Sequence, residues 1–300
     1  MSSPPRLFDR VALARNLCRA QRLGPATFLM DRVADDLTDR LSAVLRHFDL
    51  AADLASPTNA ARHRLRNASA VSKVIAVVPP AVPLSAREEP LVIADPELLP
   101  LREDFFDLIV SALALHWVDD LPGAFIQIQR ALKPDGLLVA ALIGGETLTE
   151  LRQSFAAAEA ERERGASPRV APFADVRAIG MLLQRAGFAL PVTDVERLVV
   201  RYDSPFALMH DLRRMGATNP LAERRRSPLR RGTLLRMAEI YATRFSDPDG
   251  RIRATFDIVW LSGWKPHASQ QQPLRPGSAK TRLADALGTK EIPAGDKAER

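Results

Sequence analysis

The chain alternates short apolar runs with amphipathic segments, and this pattern predicts a parallel sheet flanked by helices. In its central third, a strand, a helix over residues 121–132 and another strand follow one another within about thirty residues, the length of a βαβ unit. The turn Lys133-Pro134-Asp135-Gly136 is predicted to end that helix. We predict strands over residues 48–54, 74–78, 91–94, 106–113, 137–143, 198–202 and 252–261. In such α/β sheets the ligand site lies at the carboxyl ends of the parallel strands.

Apolar spacing of three and four residues predicts helices before, between and after these strands. Predicted helices cover residues 7–23, 27–47, a segment after the turn at 55–59 that runs through Leu65, and residues 121–132, 146–164, 175–186, 204–215 and 234–245. From His267 onward glutamine, proline, serine and charged residues dominate, which predicts little order in isolation. We expect an N-terminal helical segment at 1–47, a main domain at 48–265 with a helical insertion or cap around 146–250, and a flexible C-terminal tail at 266–300.

Length and composition are those of a globular protein with a sizeable core, since 46% of the 300 residues are hydrophobic. The single cysteine, Cys18, excludes a disulfide framework and any cysteine-rich metal site. The sequence contains no apolar run long enough to span a membrane and no signal-peptide core at its start. The arginines between Arg6 and Arg22 are also compatible with a transit peptide, but Asp9 and the helical pattern argue against it. We expect a cytoplasmic protein with at most peripheral membrane association.

The net charge of +6 is a weak pointer to an anionic partner, because both signs are scattered along the chain. The exception is the basic cluster from Glu223 to Arg231, which we interpret as a solvated loop rather than a binding patch. The histidines show no metal-ligand spacing. No nucleic-acid partner and no metal site are expected.

Several polar or aromatic residues follow predicted strands. An acid at the end of a buried strand needs a partner, so Asp95 is a candidate for binding a ligand amino group. His116 and Trp117 either line a pocket or pack over the next helix, and Gly144-Gly145 either faces a ligand or forms a tight turn. Asp119 and Asp120, just before Leu121-Pro122, are interpreted as helix caps. A further polar set is either a group of substrate contacts or a polar helix face: His210, Asp211, Arg213 and Arg214.

Six longer segments carry a specific resemblance: ADPELLPLREDFFDLIVSALALHWVDDLP, KPDGLLVAALIGGETLTELR, AEAERERGASPRVAPF, LLQRAGF, HDLRRMGATN and SGWKPHASQQQPLRPGSA. They resemble one protein family within the class I S-adenosylmethionine-dependent methyltransferases. It is the family that contains the mitochondrial complex I assembly factor acting as an arginine hydroxylase. Its bacterial relatives are often labelled methyltransferases, and malonyl-carrier-protein O-methyltransferase is a more distant relative. The resemblance runs from Phe8 to about Leu287.

This resemblance implies a Rossmann-like class I methyltransferase fold, with a mostly parallel seven-stranded sheet and helices on both faces. It also implies S-adenosylmethionine as cofactor. By position, Asp53 matches the acid that ends the first strand, and Asp95 matches the acid that contacts the adenine amino group. The implied cofactor-binding set is Asp53, Ala55, Asp95, Pro96, Ser111, Leu113, His116 and Trp117. No catalytic residue is assigned.

The turn after the first predicted strand departs from the family pattern. Where the family has an Asp-Leu-Gly-Cys-Gly type turn, this chain has Asp53-Leu54-Ala55-Ser56-Pro57, and no glycine lies between Gly24 and Gly123. The position of the acid that binds the ribose hydroxyls falls near Val78. Loss of a charge-assisted acceptor removes about 1.5 to 3 kcal/mol of favourable interaction, so these departures predict weaker cofactor binding.

Our leading hypothesis is a methyltransferase-like protein that acts on or chaperones a protein subunit of respiratory complex I. One alternative is a non-catalytic assembly factor with a degenerate cofactor site, which the altered first turn favours. Another is a carboxyl O-methyltransferase acting on a carrier-protein thioester or a small acid. The intact stretch from Asp95 to Trp117 favours a surviving pocket. The oligomeric state is left open by the sequence.

Overall fold

A computed structural model describes residues 6–80, 90–163, 165–271, 278 and 281–290. Within them the chain forms a seven-stranded sheet in the order β3-β2-β1-β4-β5-β7-β6. The first five strands pair in parallel, and β7 lies antiparallel between β5 and β6. The strands are β1 (Phe48–Leu54), β2 (Val71–Val78), β3 (Leu91–Ile93), β4 (Phe106–Ala112), β5 (Leu132–Ile143), β6 (Ala189–Tyr202) and β7 (Ile252–Trp264). The predicted mostly parallel α/β sheet is confirmed.

The helices begin where the sequence supplies caps. Asp9, Asp175 and Ser204 each accept a hydrogen bond from a backbone N–H in the first turn of their helix, which satisfies an otherwise unpaired donor. The helices are α1 (Arg10–Leu23), α2 (Phe28–Ser42), α3 (Ala60–Asn67), α4 (Leu121–Ala131), α5 (Thr149–Arg162), α6 (Val176–Arg185), α7 (Pro205–Arg214) and α8 (Arg231–Phe245), and Leu115–Trp117 forms a 3₁₀ turn.

Helices cover both faces of the sheet, as predicted. Adjacent β4 residues point to opposite sides, so Leu108 belongs to one apolar core and Ile109 to the other. The first core is shared with α2, α3, α5, α7 and α8, and the second with α4 and α6. Because both faces are buried, the central strands are largely apolar rather than alternating.

β5 and β6 differ most in extent from their predicted bounds. β5 begins at Leu132, directly after α4, and its pairing with β4 shifts register near Phe106 before continuing from Leu137. The predicted turn therefore becomes an irregular start to the strand. β6 spans 14 residues rather than the predicted five-residue stretch, since it pairs with β7 along its length. Because exposed and partly buried positions alternate along β6, apolar runs do not predict its full length.

The chain divides into two compact units, Met1–Pro266 and His267–Arg300. The second contains the short helix α9 (Leu283–Ala286), and much of the predicted flexible tail lies outside the described residues. The predicted boundary at residue 47 stays a prediction. Over the described part of the chain, every helix is too short or too polar to cross a membrane.

Candidate functional site

A cavity of about 510 Å³ opens at the carboxyl ends of the parallel strands. Ala55, Asp95 and Leu113, which follow β1, β3 and β4, form part of its wall. The remaining wall comes mainly from α1, α2, α5 and α7 and from loops that include residues 169–173 and 215–220. Small-molecule sites in proteins typically measure about 300–1,000 Å³. The cavity therefore has the position and size of a ligand site in a parallel α/β sheet.

The structure brings most of the predicted cofactor residues to this cavity. Those that line it are Ala55, Asp95, Pro96, Leu113, His116 and Trp117. Asp53 and Ser111 are buried outside the lining, and the Ser111 hydroxyl has no hydrogen-bond partner within the described residues. Contact of any of these residues with a cofactor stays a prediction.

Asp53 is engaged by protein groups. Its carboxylate accepts hydrogen bonds from Ser56 Oγ at 2.5 Å and from Arg62 Nε at 3.2 Å. Burial raises the pKa of Asp53, and the bonds from Ser56 and Arg62 oppose that shift. Ser56 Oγ in turn accepts a hydrogen bond from the backbone N–H of Ala112 at 3.0 Å. Hydrogen bonds thus connect the turn after β1 to both α3 and β4.

Ala55 occupies a left-handed backbone conformation, with φ of 59°. Its N–H donates to the carbonyl of Val77 at 2.7 Å, which extends the pairing of β1 with β2. A left-handed conformation costs an L-residue roughly 1–2 kcal/mol. Leu113 and Leu148, which also line the cavity, have φ of 51° and 56°. Such strained residues cluster at ligand sites. The turn after β1 therefore has the backbone conformation typical of glycine, although alanine occupies it.

Asp95 is fixed at the end of β3 by a network that reaches α1. Its Oδ1 accepts from the N–H of Glu97 at 2.9 Å and lies 3.4 Å from Arg10 Nη2. Arg10 also pairs with Glu97 at 2.5 Å. The Asp95 side chain is nevertheless 45% exposed, so its carboxylate retains room to accept a further hydrogen bond.

His116 and Trp117 belong to an aromatic cluster on the cavity wall. Trp117 meets Phe8 and Phe173 edge to face, with ring centroids 5.3 and 5.6 Å apart, and His116 lies 4.7 Å from Trp117. Desolvation lowers the pKa of His116 to about 3, so its imidazole is neutral near pH 7. Its Nδ1 is buried without a hydrogen-bond partner in the described part of the chain.

The segment before α1 is attached next to this cluster. The carboxylate of Asp119 accepts hydrogen bonds from the backbone N–H groups of Leu7 and Phe8 at 3.1 and 3.0 Å. Asp120 alone caps α4, through the N–H of Gly123 at 2.9 Å. The two adjacent acids thus have separate roles, and Asp119 holds the N-terminal segment over the strand ends.

Gly144, which follows β5, has a packing role. Neither Gly144 nor Gly145 lines the cavity. A Cβ on Gly144 would lie 2.8 Å from Val259 Cγ2 in β7, closer than real contacts allow. Close approach of the two strands therefore requires glycine at Gly144.

The arginines of the wall are less visible in the sequence. Arg213 and Arg214 of the open polar set reach the cavity, whereas His210 and Asp211 do not line it. Arg10 and Arg169 also line it and carry no local sequence signal. Arg169 pairs with the fully buried Glu159. Asp95 is the sole carboxylate among the described lining residues.

An adenosyl cofactor fits part of this site. Asp95 offers a cavity-facing acceptor for an adenine amino group, and the backbone at Ala55 follows the left-handed path of a glycine turn. At the end of β2, within the described ranges, the lining residues are Pro79 and Pro80, whose side chains carry no acceptor for ribose hydroxyls. In those ranges no three His, Cys, Asp or Glu side chains are grouped to hold a metal ion.

Comparisons with known proteins agree with this fold. A family model described as a methyltransferase domain matches residues 53–140. The chain is 39% identical to the arginine-hydroxylase NDUFAF5, mitochondrial, of Danio rerio, over 86% of this chain and 81% of that protein. The Homo sapiens protein of the same name is 38% identical over 99% of this chain and 89% of its own length. A malonyl-acyl-carrier-protein O-methyltransferase of Halorhodospira halophila is 35% identical over 85% and 88%.

Solved structures share the fold at low sequence identity. A Bacillus halodurans protein assigned as a methyltransferase has a TM-score of 0.54 and 15% identity, covering 78% of this chain and 100% of its own. The cyclase SpnF has a TM-score of 0.51 and 17% identity, covering 89% and 99%. The fold is therefore that of class I methyltransferases.

Proposed function

The chain belongs to the methyltransferase-fold family that contains these arginine hydroxylases and malonyl-carrier-protein O-methyltransferases, and we propose that it binds S-adenosylmethionine and modifies a subunit of respiratory complex I during assembly. The supporting observation is the cavity at the strand ends, with Asp95, His116 and Trp117 in its wall. A cytoplasmic location is part of the proposal, although the NDUFAF5 relatives are named mitochondrial.

Asp95 would accept a hydrogen bond from the adenine amino group, and Leu113 to Trp117 would enclose the methionine portion. The cofactor would supply an electrophilic methyl group, while the protein would orient the acceptor and exclude water. The neutral imidazole of His116 can accept or donate a hydrogen bond there without adding charge.

A second candidate is a non-catalytic assembly factor that keeps the fold. The engagement of Asp53 by Ser56 and Arg62 favours it, because that acid is then not free to face a ligand. The added Cβ at Ala55 also takes space in the cavity wall.

Titration calorimetry with S-adenosylmethionine and S-adenosylhomocysteine tests the first candidate. Saturable micromolar binding is expected, and Asp95→Asn should weaken it roughly tenfold, the usual effect of removing a charged hydrogen-bond partner. Asp49→Asn is the matched control, because this exposed aspartate lies at the opposite end of β1. No binding at millimolar ligand, or equal affinity in both variants, would reject the proposed cofactor site.

Methyl transfer to the partner subunit is the companion measurement. Incorporation of labelled methyl groups into purified complex I subunits should depend on Asp95. Stable copurification with a subunit without incorporation would instead establish the non-catalytic candidate.

A further inference from the structure

Arg10, the first residue of α1, lies between two carboxylates at the end of β3. Its Nη2 is 2.5 Å from Glu97 Oε1 and 3.4 Å from Asp95 Oδ1. Arg10 and Asp95 line the cavity, whereas Glu97 is not among the described lining residues. The shorter separation means that the guanidinium pairs chiefly with the carboxylate that lies outside the cavity wall.

The backbone of Glu97 is held from two sides, so its carboxylate is a fixed anchor for Arg10. The Glu97 N–H donates to Asp95 Oδ1 at 2.9 Å, and the Glu97 carbonyl accepts from Gln127 Nε2 of α4 at 2.9 Å. The carboxylate also accepts a hydrogen bond from the backbone N–H of Asp119 at 2.6 Å. Burial raises the pKa of Glu97, but the bonds from Arg10 and Asp119 outweigh burial and lower it, so Glu97 is ionised near pH 7.

The arrangement leaves acceptor capacity on Asp95. Its side chain is 45% exposed, and across the described residues its Oδ2 accepts no hydrogen bond. Without the charge of Glu97, Asp95 would be the carboxylate that remains beside Arg10. Arginine and carboxylate groups form short, often bidentate pairs, and such a pair would take up the oxygens that now face the cavity.

We propose that Glu97 is a positioning residue of the cofactor site: it draws Arg10 away from Asp95 and so keeps Asp95 available to an adenine amino group. The inference rests on the proposed function in taking an adenosyl group as the ligand. Glu97 acts through Arg10 and needs no contact with the ligand, since it lies outside the described cavity wall.

Adenosine is the main probe, because it carries the adenine amino group and is uncharged, so a change in the general field of the protein affects it little. Adenosine and S-adenosylmethionine are titrated into the full chain by calorimetry. Glu97→Gln removes the charge and keeps a side-chain oxygen that can accept from the Asp119 N–H. It should weaken adenosine binding roughly tenfold, the effect of losing one charge-assisted hydrogen bond.

Glu103→Gln is the matched control, because Glu103 is an exposed acid before β4 and is not among the described lining residues. Its adenosine affinity should equal that of wild type. An equal loss of affinity in Glu103→Gln and Glu97→Gln would overturn the proposal, since the effect would then follow from net charge alone.

The double variant Arg10→Met/Glu97→Gln separates positioning from a merely structural role. Loss of Arg10 removes the cation that competes for Asp95, so this variant should bind adenosine within roughly threefold of wild type. A loss caused by a distorted turn would persist when Arg10 is also replaced. Urea midpoints verify that each variant is folded, and the side chain of Arg10 is only partly buried, at 25% exposure.

Unchanged adenosine affinity in Glu97→Gln, or an equal loss in the single and the double variant, would overturn the proposal. So would the absence of adenosine binding to wild type at millimolar ligand. Adenosine binding that depends on Glu97, without any binding of S-adenosylmethionine, would reject the proposed function and leave this inference standing. Binding of both ligands that is indifferent to Glu97 would reject this inference alone.

Discussion

Arg62 Nε lies 3.2 Å from Asp53 Oδ2, and the two side chains are only 8% and 1% exposed. The pair joins the first turn of α3 to the carboxyl end of β1. In the resembled family the acid at this position precedes a glycine-rich turn. Here the turn has no glycine, and Asp53 fixes it through its bonds with Arg62 and Ser56. The ion pair therefore has a structural role.

Arg62→Met should destabilise the protein by about 3–5 kcal/mol, because the carboxylate of Asp53 would be left buried without its cation. Adding Asp53→Asn in the same chain should recover much of that loss, since the uncompensated charge is then gone. Urea unfolding of the single and double variants measures both free energies.

Arg64→Met serves as the control for this cycle, because Arg64 lies on the same helix and pairs with Asp35 at the surface. Exposed ion pairs contribute little to stability, so Arg64→Met should destabilise the protein far less than Arg62→Met. Equal destabilisation by the Arg62 and Arg64 variants would show that burial of the Asp53 pair is energetically unimportant.

Ala55→Gly should raise the affinity for S-adenosylmethionine several-fold. The substitution removes a methyl group from the cavity wall and relieves the left-handed strain at a φ of 59°. Stability should change by less than about 1 kcal/mol, because greater freedom of the unfolded chain offsets the relief. Calorimetric titration measures the affinity.

Leu190→Gly controls for strain relief alone. Leu190 has a φ of 50°, lies in β6 and is not part of the cavity wall. A similar gain in affinity from Leu190→Gly, or none from Ala55→Gly, would refute a steric role for the Ala55 side chain.

Asp119→Ala should loosen the N-terminal segment over the cavity. Leu7 and Phe8 would lose the carboxylate that accepts from their N–H groups. A charge-assisted bond contributes about 1.5–3 kcal/mol, so amide exchange of these two residues should accelerate roughly ten- to a hundredfold. Hydrogen exchange followed by NMR provides the measurement.

Asp120→Ala is the neighbouring control, and it removes the cap of α4 instead. Faster exchange should then be confined to the first turn of α4. If the two variants loosened the same residues, the separate roles assigned to these acids would be wrong.

His116→Phe should reduce the loss of stability in acid. The folded pKa of His116, about 3, lies below the ordinary value of 6.5, so between these limits the unfolded chain binds a proton that the folded chain does not. The contribution of the neutral, buried imidazole to the stability of the folded protein is present above pH 6.5 and is lost as the pH falls towards 3. Urea midpoints at pH 7.5 and 5 should therefore differ less in His116→Phe than in wild type.

The exposed His63 is replaced by glutamine as the control for this pH series. Its substitution should leave the difference between the two midpoints unchanged. An unaltered acid response in His116→Phe would mean that this imidazole does not titrate as a desolvated group.

Local pattern predicted most of the sheet and its order of elements. The apolar run that predicts a strand over 48–54 gives β1 with the same bounds, and the helix predicted over 121–132 ends one residue early, at Ala131. The apolar spacing that predicts a strand or a helix involves residues only a few positions apart, so it can be observed in the sequence itself. β6 is the exception, because its extent depends on pairing with β7 rather than on its own apolar pattern.

The sequence by itself determined the fold class and, through the strand ends, the position of Asp95, His116 and Trp117 on one cavity wall. The tertiary structure decided which side chains face that cavity and which are engaged elsewhere. Arg10 meets Asp95 from 85 positions away, and Leu7 meets Asp119 from 112 positions away. Contacts between such distant residues depend on how whole elements pack, and no local periodicity encodes them.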